Sequence, residues 1–514
     1  MDNIYFKLFA KKCILVVILV ALFVSCSVFL KEINKTRQRY DLSSNLLAKN
    51  MPPTLALASS VLGGFRSILV NALWIRAQNL QQEGKFFELV QLYDWIASLQ
   101  PRLLHVWAFS AWNMAYNISA QLSTPQDRWL WVQNGIGVIR DKGLLHNPQS
   151  YFLLRELAWI FNHKIGGYSD DFNWYYKQRL AESIQRALGG GDIKTIIGIP
   201  ESETNIDKDI LEFSEKMRMK DWRGWDDFSP IESLERIENS QQEEAFLRFL
   251  GARYITKSLK MDIDYMYLLQ KKYPGLDWRE SNAHSLYWAS RAEPLTHEDD
   301  FEFLSTQRLI YSSLLGIFRQ GNITFSEKDG ERYFISGPQL KIANSINRYF
   351  EELINRAWQD ENIISGVRSA HNTFLREAII SFYLSKKIKD AVHFYSVIKK
   401  YYPGEDTGLP LEHFVLRQIL DIRDAGRSRT LMVIYGLINE SFLSLATGDR
   451  ERFEGSYQVA SFIWKKYQEQ FGQDERTSLP ALEDIKKRVI EELSGVFPEI
   501  FKNLKNQNQK ALER

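Results

Sequence analysis

Paired acidic residues are the groups in this sequence whose types and spacing most resemble a cation site. Three Asp-Asp pairs occur, at Asp170/Asp171, Asp226/Asp227 and Asp299/Asp300. The third pair belongs to the stretch THEDD, which lacks the second histidine of a helical zinc motif. Carboxylates ligate hard cations, but these pairs lie near predicted helix breaks, where aspartates cap helices. We therefore predict that the pairs are surface residues and that the chain binds no metal ion.

Glu280 and Ser281 are a second candidate for acid–base chemistry, in the stretch WRESNAHSLYWAS. The pair resembles the Glu-Ser motif of cell-wall lytic transglycosylases, in which the glutamate is catalytic. These enzymes are also built on helical superhelices. The Gly-Leu-Met-Gln-like block that should follow is absent. The pair also fits the first turn of a helix, so we predict a structural role. An envelope hydrolase of this type remains the alternative function.

Composition and motifs argue against nucleotide and nucleic-acid ligands. No Gly-rich loop is followed by a lysine, and Gly189 to Gly191 are typical of a linker. The 65 basic and 63 acidic residues give a net charge of only +2, without the basic excess of nucleic-acid-binding proteins. The two cysteines, Cys13 and Cys26, lie in one apolar run, so the rest of the chain has no disulfide or cysteine-ligated metal. We predict a non-enzymatic protein without a cofactor.

That apolar run, residues 13–30, predicts a membrane anchor. Its 18 residues would span about 27 Å as a helix, close to the roughly 30 Å hydrocarbon core of a bilayer. A cleaved signal peptide, or a lipoprotein signal with Cys26 as the lipidated residue, is the alternative. Basic residues flank both ends about equally. The short N-terminal stub favours a single-pass protein with its bulk on the extracytoplasmic side.

Breaks in composition divide the chain into predicted segments. In chain order they are a stub (1–12), the anchor (13–30), a stalk (31–54), N-terminal helices (55–188), an acidic insertion (189–240), helical repeats (241–320), a β-hairpin (321–340), C-terminal helices (341–505) and a polar tail (506–514). The insertion has 13 acidic and 7 basic residues, and we expect it to be partly helical and mobile. Asp329 and Gly330, between two β-prone runs, predict the hairpin turn.

One hydrophobic stripe recurs along the helical segments. Residues at positions i, i+3, i+4 and i+7 of a helix share one face. Three sets follow this spacing: Trp107, Ser110, Ala111 and Met114; Leu154, Leu157, Ala158 and Phe161; and Leu375, Ala378, Ile379 and Phe382. A proline closes the associated helix pairs at Pro101, Pro148 and Pro403. The recurrence predicts repeated helical hairpins whose stripes form the core.

The recurring stripe with its closing proline resembles the tetratricopeptide repeat (TPR), a helix-turn-helix unit of about 34 residues. The segment FLREAIISFYLSKKIKDAVHFYSVIKKYYPG, residues 374–404, is the best match, and MYLLQKKYPG, residues 266–275, resembles the second half of a unit. Residues 62–188, with AHSLYWAS at 283–290, also resemble a family of uncharacterised single-pass bacterial membrane proteins with repeat-like helices. The resemblance implies an all-α, TPR-like solenoid of stacked helical hairpins with one N-terminal transmembrane helix and one small β-hairpin. Several units depart from the consensus: Pro101 and Pro148 are 47 residues apart, and few small residues occupy the positions where the helices pack tightly.

In a TPR-like stack, the first helix of each pair turns the face opposite its packing stripe toward a concave groove. This implies a peptide-binding groove lined by Trp112, Tyr116, Arg155, Trp159 and His163, since aromatic and arginine side chains anchor peptides. The alternative is that these aromatic residues are buried filler between two layers. Asn113 and Asn117, one turn apart, are expected to cap or cross-link helices. The predicted function is a membrane-anchored scaffold that binds a protein or peptide partner and positions cell-envelope components.

Overall fold

The structure, a computed structural model, describes seven continuous stretches of the chain and is mostly helical. These stretches are residues 66–198, 240–297, 301–328, 331–356, 361–420, 427–473 and 478–496, with a few isolated positions between residues 25 and 36. They fall into two compact units, residues 1–110 and residues 111–514. The predicted helical fold with one small β-hairpin is confirmed.

The described part of the first unit contains α1 (Arg66–Gln82), α2 (Phe86–Leu99) and most of α3 (Leu104–Trp112), which continues into the second unit. Gly84 ends α1 with a φ of +72°, a conformation that favours glycine. The Trp107 indole N–H donates to the carbonyl of Pro101 at 2.9 Å, which fixes the start of α3. The predicted helix break at Pro101 is thus tied directly to the stripe that begins at Trp107.

The second unit contains fourteen described helices of nine residues or more. They are α4 (Pro125–Gly137), α5 (Tyr151–Trp159), α6 (Asn173–Leu188), α7 (Ser240–Arg253), α8 (Ile263–Lys272), α9 (Ser281–Ala292), α10 (Phe301–Gln320), α11 (Ala343–Ile354), α12 (Glu361–Leu384), α13 (Ile388–Tyr401), α14 (Leu411–Ile419), α15 (Arg427–Ala446), α16 (Arg450–Phe471) and α17 (Leu482–Val496). Several begin at a side chain that accepts a hydrogen bond from the N–H three residues later: Thr124, Ser150, Asp262 and Asp449.

Four described helices pass directly into π-helical segments, in which each N–H bonds the carbonyl five residues earlier. The segments are Asn113–Ile118, Val138–Gly143, Ile160–Ile165 and Tyr254–Ser258. Bonds of this kind join the Gly166 N–H to the Phe161 carbonyl at 2.9 Å and the Leu259 N–H to the Tyr254 carbonyl at 3.0 Å. π-Helical turns are rare and often lie at functional sites. The sequence pattern gave no indication of them.

The predicted hairpin is present as β1 (Asn322–Lys328) and β2 (Glu331–Gly337). The strands are antiparallel, with Asn322 opposite Gly337 and Lys328 opposite Glu331. Their two-residue connection is the predicted Asp-Gly turn, which lies outside the described residues. Ile323 and Ile335 are both buried and lie on opposite faces of the hairpin.

All three predicted stripes are buried. The repeated hairpins that they implied include α12 with α13 and α15 with α16, each pair joined by three residues. In the second pair, Gly448 supplies the turn with a φ of +81°. A Cβ at Gly455 would collide with the carbonyl of Leu384, so glycine lets α16 approach the end of α12 closely.

Several predicted segments lie wholly or mostly outside the described residues. They are the stub (1–12), the anchor (13–30), the stalk (31–54), the acidic insertion beyond residue 198, and the tail (506–514). Among the helices that the structure does describe, none combines the length and apolarity needed to cross a bilayer. The described start of the insertion forms one short helix, Ile193–Ile196.

Helix α9 packs between α5 and α10 and is buried from Ser281 to Ser290 although half of these residues are polar. Buried polar groups are costly unless they are hydrogen-bonded. The Asn282 side chain donates to the Glu280 carboxylate at 2.9 Å and accepts from Asn162 at 2.8 Å. On the adjacent turn, the hydroxyls of Ser285 and Ser313 are 2.8 Å apart. These bonds join α9 to the π-helical end of α5 and to α10.

Two glycines make room for Asn282. A Cβ on Gly166 would lie 2.9 Å from the Asn282 amide nitrogen, and a Cβ on Gly316 would overlap the same side chain. Real Cβ atoms essentially never approach so closely, so glycine is required at both positions for this packing. The side chain of Asn282 thus occupies the space that two missing methyl groups leave.

We predict that Gly316→Ala destabilises the protein by about 1 to 3 kcal/mol, because the added methyl group must displace the hydrogen-bonded Asn282 side chain. The measurement is the free energy of unfolding in urea. Gly366→Ala is the matched control: Gly366 is an exposed position of α12 with no atom near a built Cβ. Since alanine favours a helix over glycine, the control should be neutral or stabilising. Equal effects of the two substitutions would contradict the proposed packing.

Two buried histidines predict acid sensitivity. His284 donates through Nε2 to the Trp278 carbonyl at 2.9 Å, and His371 contacts Asn347 and Tyr402 at 2.9 Å. Burial lowers the pKa of each to about 4. The unfolded chain takes up these protons near the ordinary pKa of about 6.5. Unfolding therefore binds protons between these values, and stability falls as the pH drops from about 6.5 to 4.

We expect the free energy of unfolding to fall by on the order of 3 kcal/mol for each histidine over this pH range. Urea unfolding at a series of pH values measures it. His371→Gln should flatten the dependence, whereas His393→Gln, at an exposed position of α13, should leave it unchanged. A pH profile that His371→Gln does not alter would show that this histidine is not the sensitive group.

Candidate functional site

Four of the five residues predicted for a groove lie together in the structure. Trp112 ends α3 and Trp159 ends α5, and each helix continues as a π-helical segment that carries the partner ring four residues later. Tyr116 and His163 are these partners. We call the group of Trp112, Tyr116, Trp159 and His163 the aromatic surface. Trp159 and His163 follow Trp112 and Tyr116 by 47 residues in the sequence. Tyr116 and His163 are the two residues through which the pairs contact each other.

The four rings form two stacks that touch. Trp112 stacks on Tyr116 with ring centroids 4.8 Å apart, and Trp159 stacks on His163 at 4.8 Å with planes inclined by only 8°. The Tyr116 hydroxyl is 3.4 Å from His163 Nδ1, which joins the two stacks. Trp112 is 45% exposed and Trp159 is 41% exposed. The indoles are therefore held by their neighbours while a large part of each stays in contact with solvent.

Arg155, the fifth predicted residue, is held by an ion pair. Its guanidinium contacts the carboxylate of Glu302 near the start of α10, and its side chain is largely buried. The charge that the sequence suggested for a groove is therefore neutralised within the protein. Arg155 instead ties α5 to α10 one turn before Trp159.

A buried ion pair packs against the inner side of the aromatic surface. Lys164 Nζ lies 2.5 Å from Asp170 Oδ2, and both side chains are almost completely buried. Arg128 adds a second cation 3.7 Å from the same aspartate. The Lys164 ammonium also lies 5.2 Å from the centre of the Tyr116 ring, a cation–π contact. The π-helical end of α5 is thus fixed to the segment that precedes α6.

The titratable groups of the aromatic surface are uncharged near neutral pH. Burial and then the charge of Lys164 lower the pKa of His163. Burial and then the charge of Glu156 raise the pKa of Tyr116 above its usual range. At Asp170, burial raises the pKa, but hydrogen bonds from Lys164 and the Phe172 backbone N–H, together with the charges of Lys164 and Arg128, outweigh it, and the net pKa is below its usual range. The exposed aromatic rings are thus a neutral layer over a buried ion pair.

The other predicted polar residues have local structural partners. The Asn117 side chain donates to Asn113 at 3.1 Å, so this pair cross-links one helical turn. Glu280 caps α9 by accepting from the Asn282 backbone N–H, as the prediction of a helix start requires. Asp170 is buried in the ion pair described above, so the prediction that it is a surface residue is wrong, whereas Asp171 is exposed as predicted. The pairs Asp226/Asp227 and Asp299/Asp300 lie outside the described residues.

Within the described stretches, no group of three or more histidine, aspartate, glutamate or cysteine side chains is arranged to hold a metal ion. The features of the site that the sequence did not predict are the π-helical segments and the Lys164–Asp170 pair. Lys164 and Asp170 flank a Gly-Gly dipeptide, and that spacing was the available signal for a folded-back segment. Comparisons with protein-family models, curated proteins and solved structures find no match for this chain.

We predict that Asp170→Asn destabilises the protein by about 3 to 5 kcal/mol, because it leaves the Lys164 ammonium buried without its closest counter-charge. The free energy of unfolding in urea is the readout. The double variant Lys164→Met/Asp170→Asn should lose less stability, since it no longer contains the buried ammonium. Glu454→Gln, which breaks the exposed pair with Lys386, should give no measurable change. If Asp170→Asn is as stable as the Glu454→Gln control, a structural role for the Lys164–Asp170 pair is contradicted.

Proposed function

We propose that this protein is a membrane-anchored, TPR-like helical scaffold that binds a protein or peptide through the aromatic surface. The main observation in its support is that Trp112 and Trp159 are both about half exposed, while their stacked partners and the underlying ion pair fix their positions. Tryptophan is among the residues that contribute most to binding energy at protein interfaces. Side chains that are already ordered lose less conformational entropy when a partner binds.

The chemistry of the surface indicates the class of partner. Its rings are neutral, and the nearest predicted cation, Arg155, is already paired with Glu302. A neutral aromatic surface attracts apolar and aromatic side chains more than charged ones. We propose an envelope protein or peptide that presents such side chains, and we propose that the apolar residues 13–30 anchor the scaffold in the bilayer.

The membrane-anchored TPR reading also draws on the sequence. Buried stripes with the TPR spacing, helical hairpins such as α12 with α13, and the motif at residues 374–404 support it. Such scaffolds bind partners on a surface built from successive helical units. In this reading, the two Trp-centred stacks are equivalent positions of two such units, and the bound protein bridges them.

We expect peptides selected from a random display library on the full chain in nanodiscs to be rich in aromatic and aliphatic residues. Trp112→Ala and Trp159→Ala should each raise the Kd of a selected peptide at least tenfold, the usual size of a tryptophan contribution. Trp174→Ala removes a comparably exposed tryptophan from α6 and serves as the control, with an unchanged Kd. Selected peptides that bind the Trp112→Ala/Trp159→Ala double variant as tightly as the wild type would refute the proposal.

One observation favours the alternative, an envelope hydrolase. Burial raises the pKa of Glu280 to about 7, a value typical of a general acid. The carboxylate is buried, however, and its oxygens accept hydrogen bonds from Asn282. Assay of cell-wall lysis distinguishes the two functions: the scaffold predicts that wild type and Glu280→Gln are equally inactive, and lysis that Glu280→Gln abolishes would establish the hydrolase.

A further inference from the structure

A second candidate site is a cavity of about 1060 Å³. Its walls include the π-helical segments Val138–Gly143 and Tyr254–Ser258 and the C-terminal end of α9. Ligand pockets for small molecules usually measure about 300 to 1000 Å³. The cavity is therefore large enough to enclose an organic molecule. It differs from the aromatic surface in both its residues and its charge.

Aromatic and aliphatic side chains line one side of the cavity. Tyr287 and Trp288 come from α9, and their rings meet edge to face at 4.9 Å. Tyr265 packs against Tyr287 at 5.4 Å, and Leu154 is contributed by α5. Tyr287 is fixed in place because its hydroxyl accepts the Asp262 backbone N–H at 2.8 Å. Tyr287 and Trp288 are almost completely buried and support this wall, so Tyr265 and the exposed Leu145 offer the apolar surface that a ligand can contact.

The lining of the cavity also carries excess positive charge. Lys257, Lys260 and Arg291 line it and form no ion pair with any described residue. Arg291 instead lies over the Tyr265 ring, at 5.4 Å from its centre.

The two acidic residues of the lining offset only part of this positive charge. Asp141 is held by Arg140 through two bonds of 2.8 and 2.9 Å. Asp262 caps α8 by accepting the Tyr265 N–H at 3.0 Å. Arg140, Lys257, Lys260 and Arg291 thus outnumber the two carboxylates of the lining, and this net positive charge attracts an anionic group.

Lys260 occupies a backbone conformation that usually requires glycine. Its φ is +55°. It follows the π-helical segment at the position where the Leu259 N–H bonds the Tyr254 carbonyl and the Met261 N–H bonds the Ile255 carbonyl, each at 3.0 Å. Helices that end in this way favour glycine at the left-handed residue. A lysine here costs backbone strain and places a cation at the edge of the cavity.

We propose that this cavity binds a small organic anion, with its carboxylate or phosphate between Lys257, Lys260 and Arg291 and its apolar part against Tyr265 and Leu145. The site is independent of the proposed scaffold function. It needs neither the aromatic surface nor a protein partner. Charge and apolar contact must act together, because the cations are solvent-exposed and bind an anion only weakly on their own.

Calorimetry with two matched probes tests the requirement for charge and for an apolar group. 2-Naphthoate carries the anion and an aromatic ring, and 2-naphthamide has nearly the same shape without the charge. We expect the full chain in nanodiscs to bind 2-naphthoate at least tenfold more tightly than 2-naphthamide or inorganic phosphate. Equal binding of the two naphthalene probes, or no binding of 2-naphthoate, would overturn the proposal.

Variants locate the binding in the cavity. Lys257→Gln/Lys260→Gly should raise the Kd for 2-naphthoate at least tenfold. The Lys260→Gly change should also leave the melting temperature unchanged or higher, because glycine adopts the required φ without strain. Lys399→Gln/Lys400→Gln removes the same charge from exposed positions of α13 and should not change the Kd. An equal loss in both double variants would show that 2-naphthoate responds only to net charge, and the proposal would fail.

Discussion

The burial of a polar helix is the constraint on which the second unit depends. Helix α9 is enclosed by α5 and α10, and its serine, asparagine and histidine side chains cannot reach water. Each therefore needs a hydrogen-bond partner within the protein, or folding incurs the full desolvation penalty. Asn282 meets this requirement with Asn162 and Glu280, in a space that exists because Gly166 and Gly316 lack side chains. Apolar packing alone would tolerate small sliding movements of these helices, whereas paired polar groups allow one register.

The π-helical segments follow from the same need to place particular groups. A π-helical turn shifts every later side chain around the helix axis relative to an α-helix of the same sequence. At the end of α5 this shift accompanies the inward turn of Lys164 toward Asp170, with Trp159 and His163 on the outside. Two other segments, Val138–Gly143 and Tyr254–Ser258, border the cationic cavity. The hydrogen bonding of such segments is less favourable than that of an α-helix, so their presence at both candidate sites indicates that side-chain placement outweighs regular helix geometry.

Helical periodicity predicted much of this architecture. The stripes through Trp107, Leu154 and Leu375 are buried, and the Asp-Gly turn correctly indicated the hairpin, because both depend on local spacing that a sequence displays directly. The same periodicity placed Trp112 and Trp159 on the faces opposite their stripes, where the structure has them. It did not reveal that Arg155 pairs with Glu302, since that contact joins residues 147 positions apart. π-Helical hydrogen bonding and the cavity likewise depend on how distant helices meet, which no local pattern encodes.

The aromatic surface is neutral and the cavity is positively charged, yet both depend on α5. Trp159 ends this helix at the aromatic surface, and Leu154, five residues earlier, lines the cavity. Because α9 fixes α5 through the buried polar contacts, the two sites have a common rigid support. Their chemistries nevertheless remain separate: stacked neutral rings suit apolar side chains, and unpaired cations beside an aromatic wall suit a small anion. A substitution at Asn282 therefore disturbs both sites, whereas substitutions at Trp159 or Lys260 change one site and leave the support intact.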